Sequence, residues 1–262
     1  VLDNNKQPVI GLFVTCLADL YRPEVVFASI KLLEAAGCRV EVPQSQTCCG
    51  QPAFNTGDFS NTADIARLTI TALEGYEYVV GPSGSCIGML HHYPELFQPE
   101  DPWHARALAL KARAFEITSF LVDVLQFSNI QSQFKGKVTY HDSCSGLREL
   151  GIKQQPRALL SQIEGVELTE MEESETCCGF GGTFCVKYAD ISNRMVGNKT
   201  DNVAKTGAQT LLGGDLGCLL NMAGKLQREG KAVQVRHVVE VLADQLSHPA
   251  LGESAYHLGK SL

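Results

Sequence analysis

The chain has 262 residues, 44% of them hydrophobic, and carries 22 basic against 29 acidic side chains for a formal net charge of −7. That length buries a sizeable core without disulfide staples, and the acidic balance offers no counterion-release term for binding a nucleic-acid backbone. Ample apolar content with only 19% charged residues excludes disorder as the main state, which leaves ten cysteines as the one abnormal count.

The opening residues Val1 to Lys6 are mostly polar, and the apolar run Val9 to Val14 is too short for a signal-peptide core or a membrane span. The expected location is the cytoplasm, a reducing compartment where thiols more often bind metal or react than form structural disulfides.

Val9–Val14 reads as a short buried strand that ends at Thr15-Cys16. A helix follows over Pro23–Ala36, with apolar residues at helical spacing and Gly37 as its stop. Cys38–Val42 is a second strand leading to Gln46-Thr47-Cys48-Cys49-Gly50-Gln51-Pro52. Asn61–Leu73 is an amphipathic helix with Asn61 as its N-cap, and Tyr78–Gly81 is a strand ending at Pro82-Ser83-Gly84-Ser85-Cys86. Pro102–Val124 is expected to form a linking helix.

The pattern then starts again. Lys137–Tyr140 is a strand ending at His141-Asp142-Ser143-Cys144, Pro156–Ile163 is helical, and Val166–Leu168 is a strand followed by Thr176-Cys177-Cys178-Gly179-Phe180-Gly181-Gly182. Asp190–Thr206 is a helix, Ala208–Leu212 a strand, and Gly213 to Cys218 follows it. Val233–His237 and Val238–Leu246 add a last strand and helix, and the chain is expected to fray from Pro249.

This is an internal repeat of β, Cys, α, β, Cys-Cys-Gly, α, β, Cys. Cys16 corresponds to Cys144, Cys48-Cys49-Gly50 to Cys177-Cys178-Gly179, and Cys86 to Cys218, at offsets of 128, 129 and 132 residues. Alternating strands and helices imply α/β architecture with parallel sheets, here two tandem pseudo-symmetric Rossmann-like units, each a small parallel sheet flanked by helices. The expected domains are 8–126 and 137–247. Ligands of such sheets bind beyond the carboxyl ends of the strands, where all these cysteines fall.

Eight cysteines belong to the repeat. Cys38 opens an apolar strand and reads as a small buried hydrophobe; Cys185 follows the glycine-rich Gly179 to Gly182 and is a weaker candidate for the second site. Scattered buried thiols explain adjacent cysteines before glycine poorly. Structural zinc accepts four thiolates but usually draws them from C-x-x-C hairpins. A thiol–disulfide enzyme could use vicinal thiols of lowered pKa, although no C-x-x-C redox turn is present. Neighbouring cysteines can ligate two irons of one cluster, so iron–sulfur binding suits Cys16, Cys48, Cys49 and Cys86, and Cys144, Cys177, Cys178 and Cys218, best.

His141-Asp142 beside Cys144 invites catalysis, with histidine carrying a proton, or simple bracing of the loop by hydrogen bonds; tuning of a cluster from just outside its ligands is the favoured role. His91-His92 reads as a surface or satisfied pair, and Lys199, Lys205 and Arg194 as a solvated helix face. Gly179-Phe180-Gly181-Gly182 is no G-x-G-x-x-G fingerprint, so nucleotide binding gains no support.

These paired motifs, together with Leu147-Arg148-Glu149-Leu150-Gly151, resemble the cysteine-rich CCG domain family over about residues 8 to 246. That family includes the cysteine-rich subunit of heterodisulfide reductase and the iron–sulfur subunit of glycolate oxidase. The chain is most similar to small iron–sulfur subunits of three-part L-lactate dehydrogenase complexes. The resemblance implies iron–sulfur electron transfer, by one or two [4Fe–4S] clusters per chain, in a complex that oxidises L-lactate to pyruvate. It implies a larger ferredoxin-like iron–sulfur subunit and a third subunit as partners, with peripheral membrane association through them in some relatives. The chain itself would be a non-autonomous part of the oxidoreductase. The full family signature closes each half with C-x-x-C, whereas here the first position of each pair is Ser83 and Asp215. Four thiols per half then suit an ordinary [4Fe–4S] cluster better than the relatives' five-thiolate one; Asp215 is a candidate oxygen ligand, and Ser83 a loop hydrogen-bonder. His237, after Arg236, matches a family position near the second cluster.

Overall fold

Short apolar runs can be central strands only where helices cover both faces of a parallel sheet. In a computed structural model, which describes residues 7–253, two such four-stranded sheets are present. The first half runs β1 (Val9–Leu12), α1 (Cys16–Tyr21), α2 (Pro23–Ala35), β2 (Arg39–Glu41), α3 (Gln51–Phe54), α4 (Phe59–Leu73), β3 (Tyr78–Gly81), α5 (Gly84–His92), α6 (Pro102–Lys111), β4 (Ala114–Glu116) and α7 (Ile117–Ser119). The second runs β5 (Gly136–His141), α8 (Cys144–Leu150), α9 (Gln154–Leu160), β6 (Val166–Leu168), α10 (Phe184–Lys187), α11 (Ala189–Lys205), β7 (Thr210–Gly213), α12 (Leu216–Arg228), β8 (Gln234–His237) and α13 (Val238–Leu242).

The strand orders are β2-β1-β3-β4 and β6-β5-β7-β8, with every pair parallel. Register fixes the internal equivalence. Ile10 pairs with Tyr78 as Val138 pairs with Thr210, and Leu12 with Val80 as Tyr140 with Leu212. Val79, Val80, Leu211 and Leu212 have no exposed surface, as central parallel strands require.

Capping explains several boundaries. Gly37 has φ 88°, and the Gly37 and Cys38 N–H groups donate to the Glu34 and Leu33 carbonyls, a Schellman stop for α2. The N-cap of α4 is Asp58 rather than Asn61, because the Asp58 carboxylate accepts from the Asn61 N–H.

Two further expectations are corrected. Pro102–Val124 is not one helix: α6 stops at Lys111, and Ala114–Glu116 becomes the edge strand β4 paired with β3. Ala114 and Glu116 are buried on that edge, which outweighs the helix propensity of the surrounding residues. The last described residues do not fray from Pro249 either, since Ala250 and Leu251 are buried and the Leu251 N–H donates to the Val235 carbonyl at 2.8 Å; the expectation beyond 253 lies outside the described residues.

One apolar cluster runs through both halves, joining Ile10, Val25, Leu33 and Phe120 to Val138, Leu211, Leu219 and Val239. No helix of the described residues is long and apolar enough to cross a membrane.

Candidate metal centres

Each first strand delivers a cysteine to the opening turn of a helix. Cys16 is the first residue of α1 and Cys144 the first of α8, while Cys86 and Cys218 lie in the first turns of α5 and α12. Each Cys-Cys-Gly loop bends back over its strand end because its glycine is left-handed, at φ 85° for Gly50 and 82° for Gly179. A Cβ on Gly179 would stand 2.9 Å from the Ser192 carbonyl oxygen, so this position excludes any side chain on space as well as on torsion.

The loops are tied down by their carbonyls. Tyr93 donates its hydroxyl to the Cys49 oxygen at 2.9 Å, and Asn221 donates to the Cys178 oxygen at 3.0 Å. Cys49 and Cys178 are buried; Cys48 and Cys177 are half-buried.

In the first half the Cys16 S–H donates to Cys48 Sγ across 3.7 Å, and Cys49 contacts both Cys48 and Cys86. The Cys16 and Cys49 donors hold the Cys48 thiol far below its ordinary value, and Cys16 is raised in return. The second half repeats the chain of contacts: Cys144 with Cys177, and Cys178 with Cys177 and Cys218. Cys144 and Cys178 are raised, and Cys177 is lowered by the Cys144 and Cys178 donors. Four soft donors linked in a chain of neighbouring thiols are the kind of set that iron–sulfur clusters and tetrahedral zinc both accept, so the residues fit a metal centre in each half.

The surroundings of the two sets differ. A cavity of about 260 Å³ opens on Cys16, Cys48 and Cys86, and the second half closes it with Phe180, Val186 and Asp215. The second set meets His141, whose ring nitrogen lies within 4.8 Å of the Cys178 and Cys218 sulfurs, these atoms being equally close to one another. His141 is buried, and neither ring nitrogen has a hydrogen-bond partner. Burial, with Lys199 adding to it, lowers its pKa to about 3, so the imidazole is neutral.

Asp142 turns away from the sulfurs and binds Arg157 with both oxygens, at 2.8 and 2.9 Å, and Arg157 also holds Glu170. Asp215 is engaged across the halves. Its Oδ2 accepts from Ser83 Oγ at 3.1 Å and the Ser85 N–H at 2.9 Å, while Oδ1 accepts from the Gly217 N–H. The two positions that depart from the C-x-x-C signature therefore meet one another.

Other sequence candidates fall elsewhere. Cys38 is buried in the core, and burial pushes its thiol to about 11. The Cys185 thiol faces the Gly182 carbonyl, on the loop that borders the first cavity rather than the second set. His91 bonds the Ala114 carbonyl, and His92 bonds Glu95 and stacks on Phe54. His237 reaches the first half, donating from Nε2 to the Pro82 carbonyl at 3.0 Å while Nδ1 accepts from the Val239 N–H. Lys199 is not on a solvated face: it is buried and donates to the Glu173 and Ser174 carbonyls.

Sequence reasoning missed three buried groups. Arg22 donates from Nε at 3.0 Å and from Nη2 at 2.5 Å to Glu240 Oε1. Glu116 caps α7 with Oε2 while its buried Oε1 has no partner, and burial pushes its pKa to about 7. No local motif announces an ion pair between residues 218 positions apart, or a carboxylate whose burial depends on the opposite half.

Comparison with known proteins agrees with this geometry. The cysteine-rich domain named CCG matches twice, at residues 10–91 and 138–223. Lactate utilization protein A of Oceanobacillus iheyensis is 46% identical over 233 residues, covering 89% of this chain and 96% of that protein. Lactate utilization protein A of Halalkalibacterium halodurans is 47% identical over 236 residues, covering 90% and 97%. Among solved structures, a hypothetical protein from Helicobacter pylori superposes with a TM-score of 0.62 at 12% identity over 97% of this chain. The chain spans about half of that protein, at 51%, and the likeness shows the shared fold alone. With both cysteine sets, both domain matches and relatives of nearly equal length in agreement, the chain belongs to the cysteine-rich CCG domain family, among the relatives of lactate utilization protein A.

Proposed function

We propose that the chain is the iron–sulfur electron-transfer subunit of a complex that oxidises L-lactate to pyruvate, acting beside a larger ferredoxin-like subunit and a third subunit. The observation that carries the reading is the twofold convergence of four thiols at strand ends: Cys16, Cys48, Cys49 and Cys86, then Cys144, Cys177, Cys178 and Cys218. The names of the relatives supply the metabolic setting. A bound [4Fe–4S] cluster would supply one-electron redox chemistry. The chain's own part is to hold the thiolates, to aim the Gly179 N–H at Cys177 Sγ, and to bury Cys178 and Cys218. The half-open first set, beside its cavity, is the natural point of electron exchange with a partner. The two units, 8–126 and 137–247, would each carry one centre in the cytoplasm.

Iron and acid-labile sulfide analysis of the anaerobically purified chain tests this, with about eight of each expected when both sites are filled. Zinc in place of iron would overturn the redox role and leave a structural subunit. The acidic Cys48 thiol, 3.7 Å from Cys16, supports a second reading, a thiol–disulfide enzyme resembling heterodisulfide reductase. Turnover of a disulfide by the isolated chain, without its partners, would favour that reading.

A further inference from the structure

The halves diverge where the first strand ends. The sheet register that equates Ile10 with Val138 and Leu12 with Tyr140 sets Phe13 opposite His141. Both side chains are buried, but Phe13 packs in an apolar cluster whereas His141 has two unpartnered ring nitrogens. Buried polar atoms are almost always bonded, so an imidazole with neither nitrogen satisfied calls for a ligand.

The thiols next to it supply the reason. One His141 ring nitrogen and the Cys178 and Cys218 sulfurs lie mutually within 4.8 Å. Donors around one tetrahedral ion, with bonds of about 2.0 Å to nitrogen and 2.3 Å to sulfur, are separated by roughly 3.5 Å, so small side-chain adjustments suffice. The frame is already rigid. Asp142, the next residue, is clamped by Arg157 through both carboxylate oxygens, which fixes the backbone that aims His141 inward. Lys199 adds a buried cation near Cys177 and Cys178, and the 129-residue offset places Ile70 at the corresponding point of the first half.

We propose that His141 is a metal ligand, joining Cys178 and Cys218 through an imidazole nitrogen, so that the second centre is a mixed nitrogen–sulfur site and the first is bound by thiolates alone. For iron, this rests on the reading of the second thiol set as an iron–sulfur centre. The two centres of the chain would then differ in their ligand sets although their strand frames match.

The test is pulsed EPR of the full-length, iron-loaded chain reduced with dithionite, prepared with natural-abundance and with ¹⁵N-labelled histidine. A strongly coupled nitrogen that changes with the isotope is expected in the unmodified protein. The same signal should vanish in His141→Gln and persist in Phe13→Leu. Full iron and sulfide content without nitrogen coupling would overturn the His141 assignment and leave the proposed function standing. Absence of iron and sulfide would instead sink the proposed function. A separate arm needs no iron: Co²⁺ is titrated into the metal-free chain and followed by its ligand-field absorption. Loss of the histidine should weaken that binding by about 100-fold or more, beyond the usual effect of an outer partner. Unchanged cobalt affinity and spectrum in His141→Gln would refute the ligand role by a second route. The isotope comparison on the unmodified protein decides the matter even where the variant fails to fold.

Discussion

Replacing Arg22 by methionine isolates a doubly hydrogen-bonded, buried polar tie between the two halves. Arg22 lies between α1 and α2, and its guanidinium donates twice to Glu240 Oε1 on α13. The Glu240 side chain is fully buried and that of Arg22 is 9% exposed, so solvent screening is slight. Removing one member of a buried pair leaves an uncompensated charge and costs about 3–5 kcal/mol. Two contacts moderate the loss. Glu240 Oε2 keeps the His237 N–H at 2.9 Å, and Arg236 Nη1 stands 4.0 Å from Oε1 with no hydrogen bond of its own, free to close in. The expected cost is therefore about 3 kcal/mol, or roughly 6–12 °C in melting temperature for a chain of this size. Glu240→Gln should cost more, because it removes the carboxylate nearest to Arg236 and leaves Arg22 only the longer Glu24 contact at 3.8 Å. The Arg22→Met/Glu240→Gln pair should recover about 2 kcal/mol relative to the sum of the single changes. Denaturant unfolding of the metal-free full-length chain, followed by far-UV circular dichroism, measures all four members of the cycle. A cost below about 1 kcal/mol for Arg22→Met, or additivity across the cycle, would refute the claim that this pair fastens the halves.

Glu116 gives a pH test. Its folded-state pKa is raised by burial from 4.5 to about 7, so the folded chain holds a proton there that the unfolded chain releases. The stability gained is complete below pH 4.5 and lost as pH rises through 7, at about 1.4 kcal/mol per pH unit inside that window. Glu116→Gln, compared with the unmodified chain by urea unfolding at pH 5 and pH 8, should gain relative stability at the higher pH by about 3 kcal/mol. A pH-independent difference would count against a buried, protonated Glu116. Two glycines of α5 should behave differently. A Cβ on Gly84 would stand 2.9 Å from Gly146 Cα, backbone against backbone, so Gly84→Ala should cost roughly 1–3 kcal/mol by forcing α5 and α8 apart. At Gly88 the obstructing atom is the flexible end of Glu149, so Gly88→Ala should stay within about 1 kcal/mol, with helix propensity on its side; equal costs in thermal melts would contradict this. Asp215→Ala should cost about 2–4 kcal/mol, since it removes the cap of α12, takes one partner from Ser83 Oγ and leaves the Ser85 N–H without its acceptor. Asp215→Asn should lose less, and a neutral Ala variant would show that the bridge between the halves contributes nothing.

The repeat was legible because its evidence is local. Strand, cysteine, Cys-Cys-Gly and the helix after it all lie within short windows, and two copies of the same order define the α/β frame. The errors have equally local causes. Ala114-Phe115-Glu116 is too short to display a strand period, and no glycine or proline marks the end of α6 at Lys111, so only pairing with β3 reveals β4. Lys199 looks like part of a charged helix face, and its burial follows from where the Glu173 and Ser174 carbonyls come to rest. His237 could be placed at a strand end, but its partner Pro82 lies 155 residues away. The contact of Ser83 with Asp215 is of the same kind: each half read alone shows only a missing cysteine, and their meeting depends on how the halves dock.

That docking explains how a duplicated frame can support unequal centres. Carbonyl ties and left-handed glycines constrain the loops that carry the sulfurs, and the tie itself tolerates a change of donor, from Tyr93 at Cys49 to Asn221 at Cys178. Residues that face the sulfurs without shaping the loop are less constrained. Phe13 and His141 occupy one register position with similar bulk, so the exchange preserves packing while replacing an inert ring by a donor. Ile70 and Lys199 change charge at matching helix positions, both buried. The second half also supplies Phe180 and Val186 to the rim of the first cavity, an apolar lip beside Cys16 and Cys48. Each half therefore sets the surroundings of the other, and the halves are a single functional object although the sequence writes them as two.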